Sequence, residues 1–202
     1  MGRRFILASA SPARLRLLEA AGFAPEVMVS GVDEDGVDID DPHDHVLELA
    51  RRKAAAVAAR PEAAGALVLG CDSMLEFGGR LQGKPSSPAE ATARWEAMRG
   101  NEGRLLTGHC VIDTDGAAGG PRRAEAAAST TVRFGQPTDA EIAVYVARGE
   151  PLRVAGAFTI DGLAAAFIDG VDGDPGNVIG VSLPLLRTLL AQLDIEVTSL
   201  WQ

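Results

Sequence analysis

Hydrophobic and polar positions along the 202-residue chain form two kinds of segment, which follow one another in turn. Short continuous apolar runs predict buried β-strands, whereas apolar residues spaced three and four apart predict amphipathic helices. The predicted strands cover residues 4–8, 26–30, 67–71, 105–113, 124–134 and 164–168, and a hairpin of 73–77 and 80–84 surrounds Gly78-Gly79. The predicted helices cover residues 12–21, 42–60, 90–99, 138–148 and 184–193. Because strands and helices alternate, the sequence predicts an α/β fold with a mixed sheet flanked by helices.

The composition limits the classes of partner. With 47% hydrophobic and 23% charged residues, the chain is typical of one globular domain, residues 1–202, with room for two small lobes. The polar loop 113–123 is either a lobe boundary or, as we favour, a hairpin tip.

A net charge of −9 disfavours general binding to nucleic acid or anionic lipid, so an anionic ligand needs a local basic site. No apolar run approaches the roughly 20 residues that span a bilayer. The two cysteines form no disulfide framework, which favours reduced thiols in the cytoplasm.

A first candidate site lies where the first predicted strand ends and the first helix begins. Ser9 and Ser11 precede Pro12, and Ser11 is a suitable N-cap residue. The free backbone N–H groups and the dipole of such a helix terminus favour an anion. Arg14, in the first turn, opposes the dipole unless an anion also lies there. The alternative is that Ser11 only caps the helix and that Arg14 is solvated.

Lys53 breaks the apolar pattern of the second predicted helix. It falls on the same face as Leu49, Ala50 and Val57. A lysine is rarely buried without a partner. Its ammonium group either reaches solvent along the helix surface or points into a cleft, toward a carboxylate or a phosphate. The pattern leaves both interpretations open.

An aspartate directly follows the predicted strand 67–71. In α/β sheets, ligands and catalytic groups collect at the carboxyl ends of strands, which makes Asp72 a candidate. The predicted hairpin pairs residue 77 with 80, 75 with 82 and 73 with 84, which would place Lys84 beside Asp72. Together the two side chains would form an acid–base and phosphate site. The alternatives are a turn-forming aspartate and an ordinary ion pair on a surface hairpin.

Two further side chains complete the candidates. Glu34, in the acidic loop 32–36, could ligate a divalent cation that bridges phosphates, although a solvated loop is the commoner role of such a segment. His109 lies on a predicted strand without a nucleophile motif nearby, so we interpret it as structural. Residues 9–85 thus combine a helix N-terminus, three basic side chains and several carboxylates. This equipment suits metal-assisted chemistry on a polyphosphate.

Several short blocks resemble the Maf family, in the order in which the family carries them. The first, Ser9-Ala10-Ser11-Pro12-Ala13-Arg14, resembles the S-x-S-P-x-R signature. The other blocks are residues 32–34, 50–54, 70–73, 83–85, 155–158 and 180–184. The resemblance implies a single Maf-like (ITPase-like) α/β domain with a twisted mixed sheet and two lobes around a central cleft. It also implies a cytoplasmic nucleoside triphosphate pyrophosphatase that releases a monophosphate and pyrophosphate with Mg²⁺ or Mn²⁺.

The resemblance further implies a role for each candidate residue. Asp72 would be the general base and a metal ligand, and Glu34 would bind the metal or orient the water. The triphosphate is bound by Ser9, Ser11, Arg14, Lys53 and Lys84. The implied partner is a free nucleoside triphosphate, including non-standard ones that need clearing, with no nucleic-acid or membrane partner. Members of the family often form homodimers, and the oligomeric state of this chain stays open.

Other functions and the preferred base stay open. Family members are linked to septum formation, so a non-catalytic nucleotide-binding regulator of cell division would bind nucleotide without turnover. A phosphatase acting on monophosphates would release orthophosphate. The block Cys71-Asp72-Ser73, where many members have Ala-Asp-Thr, resembles the 7-methylguanosine-type branch more than the thymidine/uridine-type branch.

Overall fold

Seven strands form one mixed sheet in the described part of the chain. The structure is a computed structural model that describes residues 3–34, 36–37, 39–115 and 120–202. The strands are β1 (Phe5–Leu7), β2 (Glu26–Val27), β3 (Leu67–Phe77), β4 (Arg80–Gln82), β5 (Glu102–Asp113), β6 (Arg122–Phe134) and β7 (Ile168–Asp172). Their order is β2-β1-β3-β5-β6-β7, with β4 paired to β3. β1 runs parallel to β2 and β3, whereas the β3–β4 and β6–β7 pairs are antiparallel, which confirms the predicted mixed sheet.

Six α-helices flank this sheet in the described residues, and most begin at a capping side chain. They are α1 (Pro12–Ala20), α2 (Pro42–Ala58), α3 (Pro88–Met98), α4 (Asp139–Ala147), α5 (Pro175–Ile179) and α6 (Leu183–Gln192). Five of them follow a residue whose side-chain oxygen accepts a first-turn backbone N–H, namely Ser11, Asp41, Ser87, Thr138 and Ser182. The predicted starts at Ser11-Pro12 and Asp41-Pro42 are therefore confirmed. None of the described helices combines the length and the hydropathy needed to cross a lipid bilayer.

The chain divides into two compact units. Unit 1 contains Met1–Asp72, Thr107–Ala128 and Gly180–Gln202, and unit 2 contains Ser73–Leu106 and Ser129–Ile179. In unit 1, alternate strand residues enter different apolar clusters, because successive side chains point to opposite sheet faces. Leu67 and Leu69 pack with α1 and α6, whereas Val68 packs with α2. Helices thus cover both faces of the sheet in unit 1.

The core of unit 2 is built around one tryptophan. Trp95 lies fully buried on α3 and makes edge-on ring contacts with Phe134, Tyr145 and Phe167 at centroid distances of 5.5–5.8 Å. Its indole Nε1–H donates to the carbonyl oxygen of Ala157 at 2.8 Å. The indole N–H of Trp95, although buried, therefore has a hydrogen-bond acceptor.

The predicted strand 164–168 is wrong. Residues Leu163–Phe167 form a 3₁₀ helix, and β7 begins at Ile168. The carboxylate of Glu150 accepts the backbone N–H groups of Leu163 and Ala164, which stabilises the first turn of that helix. Alanines also have little tendency to form strands, so capping by a distant carboxylate decides the conformation of this segment.

The loop 113–123 lies within unit 1 and connects the neighbouring strands β5 and β6, as predicted for a hairpin tip. Its residues 116–119 lie outside the described part of the chain. The five-residue helix α5, in contrast, was not predicted from the sequence.

Candidate functional site

The start of α1 and the end of β1 hold a fixed arginine. Ser11 caps the helix, and its Oγ accepts the backbone N–H of Arg14 at 3.4 Å. Ser9 Oγ accepts both the backbone N–H of Ser11 at 3.2 Å and Nη1 of Arg14 at 3.0 Å. Arg14 is only 9% exposed. Of the two interpretations of Arg14, the solvated side chain is therefore wrong, because the guanidinium lies buried against the residues that open the helix.

A glycine from a distant part of unit 1 completes this arrangement. Arg14 Nε donates to the carbonyl oxygen of Gly180 at 3.0 Å. Gly180 has φ +122°, a backbone region that only glycine adopts readily, and a Cβ there would lie 2.8 Å from Arg14 Nε. In the sequence, Gly180 stands out only as part of the block 180–184. Its contact with Arg14 explains why glycine is needed there.

Lys53 lies on the buried face of α2, as its position in the apolar pattern predicted. The residue is 7% exposed. Its Nζ lies 2.6 Å from Asp72 Oδ1 and 2.5 Å from Glu34 Oε1. Of the two open interpretations, the one with a carboxylate partner is therefore correct. A buried ammonium group is tolerated here because two carboxylates neutralise it.

Gly70 explains why Lys53 can reach Asp72. Residues two apart on a strand point to the same face, so Gly70 and Asp72 both face α2. A Cβ at position 70 would lie 2.3 Å from Ala50 O and 2.6 Å from Ala54 N, both in the α2 backbone. The helix therefore lies directly on the strand at this point. The close approach places the lysine of α2 over the aspartate of β3.

Asp72 does not follow the end of its strand, which corrects the sequence prediction. β3 continues to Phe77 because its second half pairs with β4. The parallel pairing with β1, however, ends at Leu69, opposite Leu7. Asp72 therefore lies just beyond the parallel part of the sheet. This is the topological position at which α/β sheets commonly bind ligands.

The second carboxylate oxygen of Asp72 is the most unusual atom of the site. Asp72 is 5% exposed, and its Oδ2 has no hydrogen-bond partner among the described residues. Buried polar atoms are nearly always paired, so an orphaned carboxylate oxygen indicates a cation or a proton donor that arrives with a ligand.

The carboxylates around Lys53 suit a divalent cation. Asp72 and Glu34 both contact the Lys53 ammonium group, so their carboxylates lie close together. No group of three or more His, Cys, Asp or Glu side chains suited to a metal occurs among the described residues, and Asp35 of the acidic loop lies outside them. Mg²⁺ is typically held by one or two carboxylates together with water and substrate phosphates. Two carboxylates and an orphaned oxygen fit that pattern.

Lys84 belongs to unit 2, where two of the three predicted hairpin pairs are confirmed. Phe77 pairs with Arg80 and Leu75 with Gln82. Lys84 follows two residues later with its side chain exposed, so its predicted proximity to Asp72 stays a prediction.

The backbone on either side of Lys84 is well anchored. The carbonyl oxygen of Gly83 accepts Nη1 of Arg94 at 2.6 Å and the backbone N–H of Gly156 at 3.1 Å. Glu90 Oε2 accepts both the N–H and the hydroxyl of Ser86 at 2.7 Å, and these bonds lower the pKa of Glu90 to about 2. The backbone on both sides of Lys84 is therefore held in place by hydrogen bonds. No sequence pattern predicted these bonds.

The cysteine beside Asp72 takes no part in this chemistry. Cys71 points to the opposite sheet face and is fully buried. Burial raises the pKa of its thiol to about 12, which outweighs the opposing effects of Arg14 and Lys53. The thiolate is therefore scarce at neutral pH, and Cys71 is not a nucleophile.

Comparisons with known proteins show which family this chain is similar to. A family model described as Maf-like protein matches residues 4–193. A protein named nucleoside triphosphate pyrophosphatase from Streptomyces coelicolor is 63% identical over 199 residues, which cover 98% of this chain and 95% of that protein. Proteins of the same name from a Mycobacterium species and from Synechococcus elongatus are 52% and 53% identical. The matches cover 100% and 98% of this chain, and 99% and 98% of those proteins.

Proposed function

We propose that this chain, which belongs to the Maf-like protein family, is a nucleoside triphosphate pyrophosphatase. It is a hydrolase that cleaves the bond between the α-phosphorus and the oxygen bridging to the β-phosphate. Water supplies the new oxygen on the α-phosphorus, and pyrophosphate leaves. The observation that carries the proposal is the buried Asp72, with one oxygen held by Lys53 and the other without a partner among the described residues.

Asp72 acts as the general base of this reaction. Its Oδ1 is bound to Lys53 Nζ at 2.6 Å, which fixes the direction in which Oδ2 points. Oδ2 accepts the proton that the attacking water loses as the oxygen–phosphorus bond forms. Lys53 holds the other oxygen of the carboxylate in place during this proton transfer.

In this proposal the start of α1 binds the phosphates, and Lys84 is assigned to the same substrate as the sequence resemblance implies. Ser9 and Ser11 offer hydroxyl groups, and the helix terminus offers backbone N–H groups and a favourable dipole. Arg14, Lys53 and Lys84 supply positive charge that offsets the charge developing on pyrophosphate. This local basic group is how a chain of net charge −9 can accept a polyanion.

Glu34 and Asp72 would hold a divalent cation, Mg²⁺ or Mn²⁺, alongside the phosphates. When bound, such a cation supplies charge neutralisation and makes a coordinated water more acidic. The support is that two carboxylates, those of Asp72 and Glu34, lie on the same lysine. The protein's own contribution is to hold both carboxylates in place through Lys53.

In this proposal residues 1–202 act as one functional domain on a free nucleotide. The net negative charge supports a small substrate rather than a long nucleic acid. The two cysteines are free and buried, which supports a reducing compartment such as the cytoplasm.

One assay tests the proposal directly. The protein is incubated with standard and methylated nucleoside triphosphates and Mg²⁺ or Mn²⁺, and pyrophosphate and orthophosphate are measured separately. Stoichiometric pyrophosphate and monophosphate are expected, together with a clear base preference. Orthophosphate as the only inorganic product, or tight nucleotide binding without any product, would contradict the proposal. Asp72→Asn serves as the inactive control for contaminating enzymes.

A further inference from the structure

A buried histidine lies behind the arginine of the site. His109 is on β5 and has no exposed surface. Its Nε2 accepts the backbone N–H of Ser182 at 2.8 Å, and its Nδ1 lies 3.0 Å from the carbonyl oxygen of Thr107. The proposed reaction assigns this residue no role.

These two contacts determine where the imidazole proton lies. The carbonyl of Thr107 can only accept a hydrogen bond, so Nδ1 must carry the hydrogen. The backbone N–H of Ser182 can only donate, so Nε2 must present its lone pair. The ring is therefore neutral and in the Nδ1–H tautomer. In that form, His109 binds the residue that also caps α6.

Ser182 is two residues from the glycine that holds Arg14. Gly180 accepts Arg14 Nε at 3.0 Å, and Val181 between them is fully buried. The segment 180–182 is thus bound at one end by the arginine and at the other by the histidine. Moving Ser182 displaces the Gly180 carbonyl and with it the hydrogen bond that orients the guanidinium.

We propose that His109 is a positioning residue for phosphate binding, which it supports by holding Ser182 so that the carbonyl of Gly180 orients Arg14. This inference rests on the proposed function in assigning Arg14 to the triphosphate. The positioning itself is a property of the folded chain and can be measured without turnover.

Two substitutions separate the hydrogen bond from the bulk of the side chain. In His109→Gln, the side-chain amide oxygen can take the place of Nε2 and accept from Ser182. In His109→Leu, a side chain of similar size has no acceptor. We expect His109→Leu to raise KM for the triphosphate roughly tenfold with kcat nearly unchanged, and His109→Gln to restore most of the loss.

A matched control excludes a purely structural effect. Cys110 is the next residue on β5, is fully buried and faces the other side of the sheet. Cys110→Ala should lower Tm without changing KM. A combined variant adds a second test, because His109→Leu should raise KM little further once Arg14→Gln is present. Additive effects on KM in that pair, or a folded His109→Leu protein with unchanged KM, would overturn the proposal.

Nuclear magnetic resonance keeps the proposal testable if a variant folds poorly or the enzyme is inactive. In the native protein, long-range ¹H–¹⁵N correlations of His109 should show a protonated Nδ1 and an unprotonated Nε2. The Arg14 Nε–H resonance should shift in His109→Gln less than in His109→Leu. Protonation of Nε2 in the native protein contradicts the positioning role. An inactive native enzyme with the expected resonances contradicts only the proposed function.

Discussion

Lys53 and Asp72, 19 residues apart in the chain, form a buried ion pair with 2.6 Å between Nζ and Oδ1. The pair forms because Gly70 has no side chain to hold α2 away from β3. A second carboxylate, Glu34, approaches the same ammonium group from the acidic loop. The arrangement leaves Asp72 Oδ2 without a hydrogen-bond partner among the described residues. Both the activity and the stability of the protein are therefore expected to depend on this pair.

Asp72→Asn should abolish turnover while the protein stays folded. Removing a general base lowers rates by about 10²–10⁴-fold, and the asparagine has the same shape as the aspartate. Pyrophosphate release measures the loss, and nucleotide binding and circular dichroism report the intact site and fold. Asp174→Asn is a matched control, because Asp174 Oδ2 also lacks a partner among the described residues but has no proposed role. Undiminished release from Asp72→Asn would exclude it as the base.

Lys53→Met should destabilise the protein as well as inactivate it. Two neighbouring carboxylates lose their shared cation, and breaking a buried pair costs about 3–5 kcal/mol. Urea unfolding measures the free energy of unfolding. Arg52→Met is the control, because Arg52 lies next in the helix and forms an exposed ion pair with Glu48, worth about 0–1 kcal/mol. Equal decreases in the free energy of unfolding in the two variants would show that the buried ion pair stabilises the protein no more than the exposed one.

Gly70→Ala should separate Lys53 from Asp72. The added Cβ would meet backbone atoms of α2 at 2.3 and 2.6 Å, so the helix must move away from the strand. Overpacking of this kind lowers the free energy of unfolding by about 1–3 kcal/mol. The rate constant kcat should also fall, because Lys53 no longer holds Asp72 in place. Gly83→Ala is the stability control, because nothing lies within 4 Å of its Cβ position. A stable and fully active Gly70→Ala protein would refute this account of the contact.

Neither cysteine should react in the folded protein. Burial raises the pKa of both Cys71 and Cys110 to about 12. A thiol reagent at pH 8 should therefore modify neither native residue and both residues in denaturant. Rapid modification of the native protein would contradict the buried placement.

The same pKa shifts predict the stability of the protein in alkali. Because the folded pKa values lie above the ordinary value of 9.0, the stability that the neutral thiols contribute is fully present below pH 9. It is lost as the pH rises toward 12. Unfolding by urea between pH 8 and 11 measures the decline, and constant stability over that range would contradict it.

The sequence by itself determined the class of fold and most of the candidate residues. Capping side chains before proline predicted the starts of α1 and α2, and short continuous apolar runs predicted most of the strands, because both signals are local. Lys53 stood out because it interrupts an apolar helix face, which also needs only neighbouring residues. The 3₁₀ helix at 163–167 escaped prediction, since Glu150, which caps it, is distant in the chain.

Tertiary structure alone decided how the candidate residues are held. Gly70, Gly180 and His109 act through partners on other elements: the α2 backbone, Arg14 and Ser182. No local pattern reports such contacts, since a glycine or a histidine in a strand has many uses. A chain shows which side chains it has and which face of an element they occupy. Only packing in three dimensions determines which carbonyl meets which guanidinium, and which carboxylate oxygen is left for the ligand.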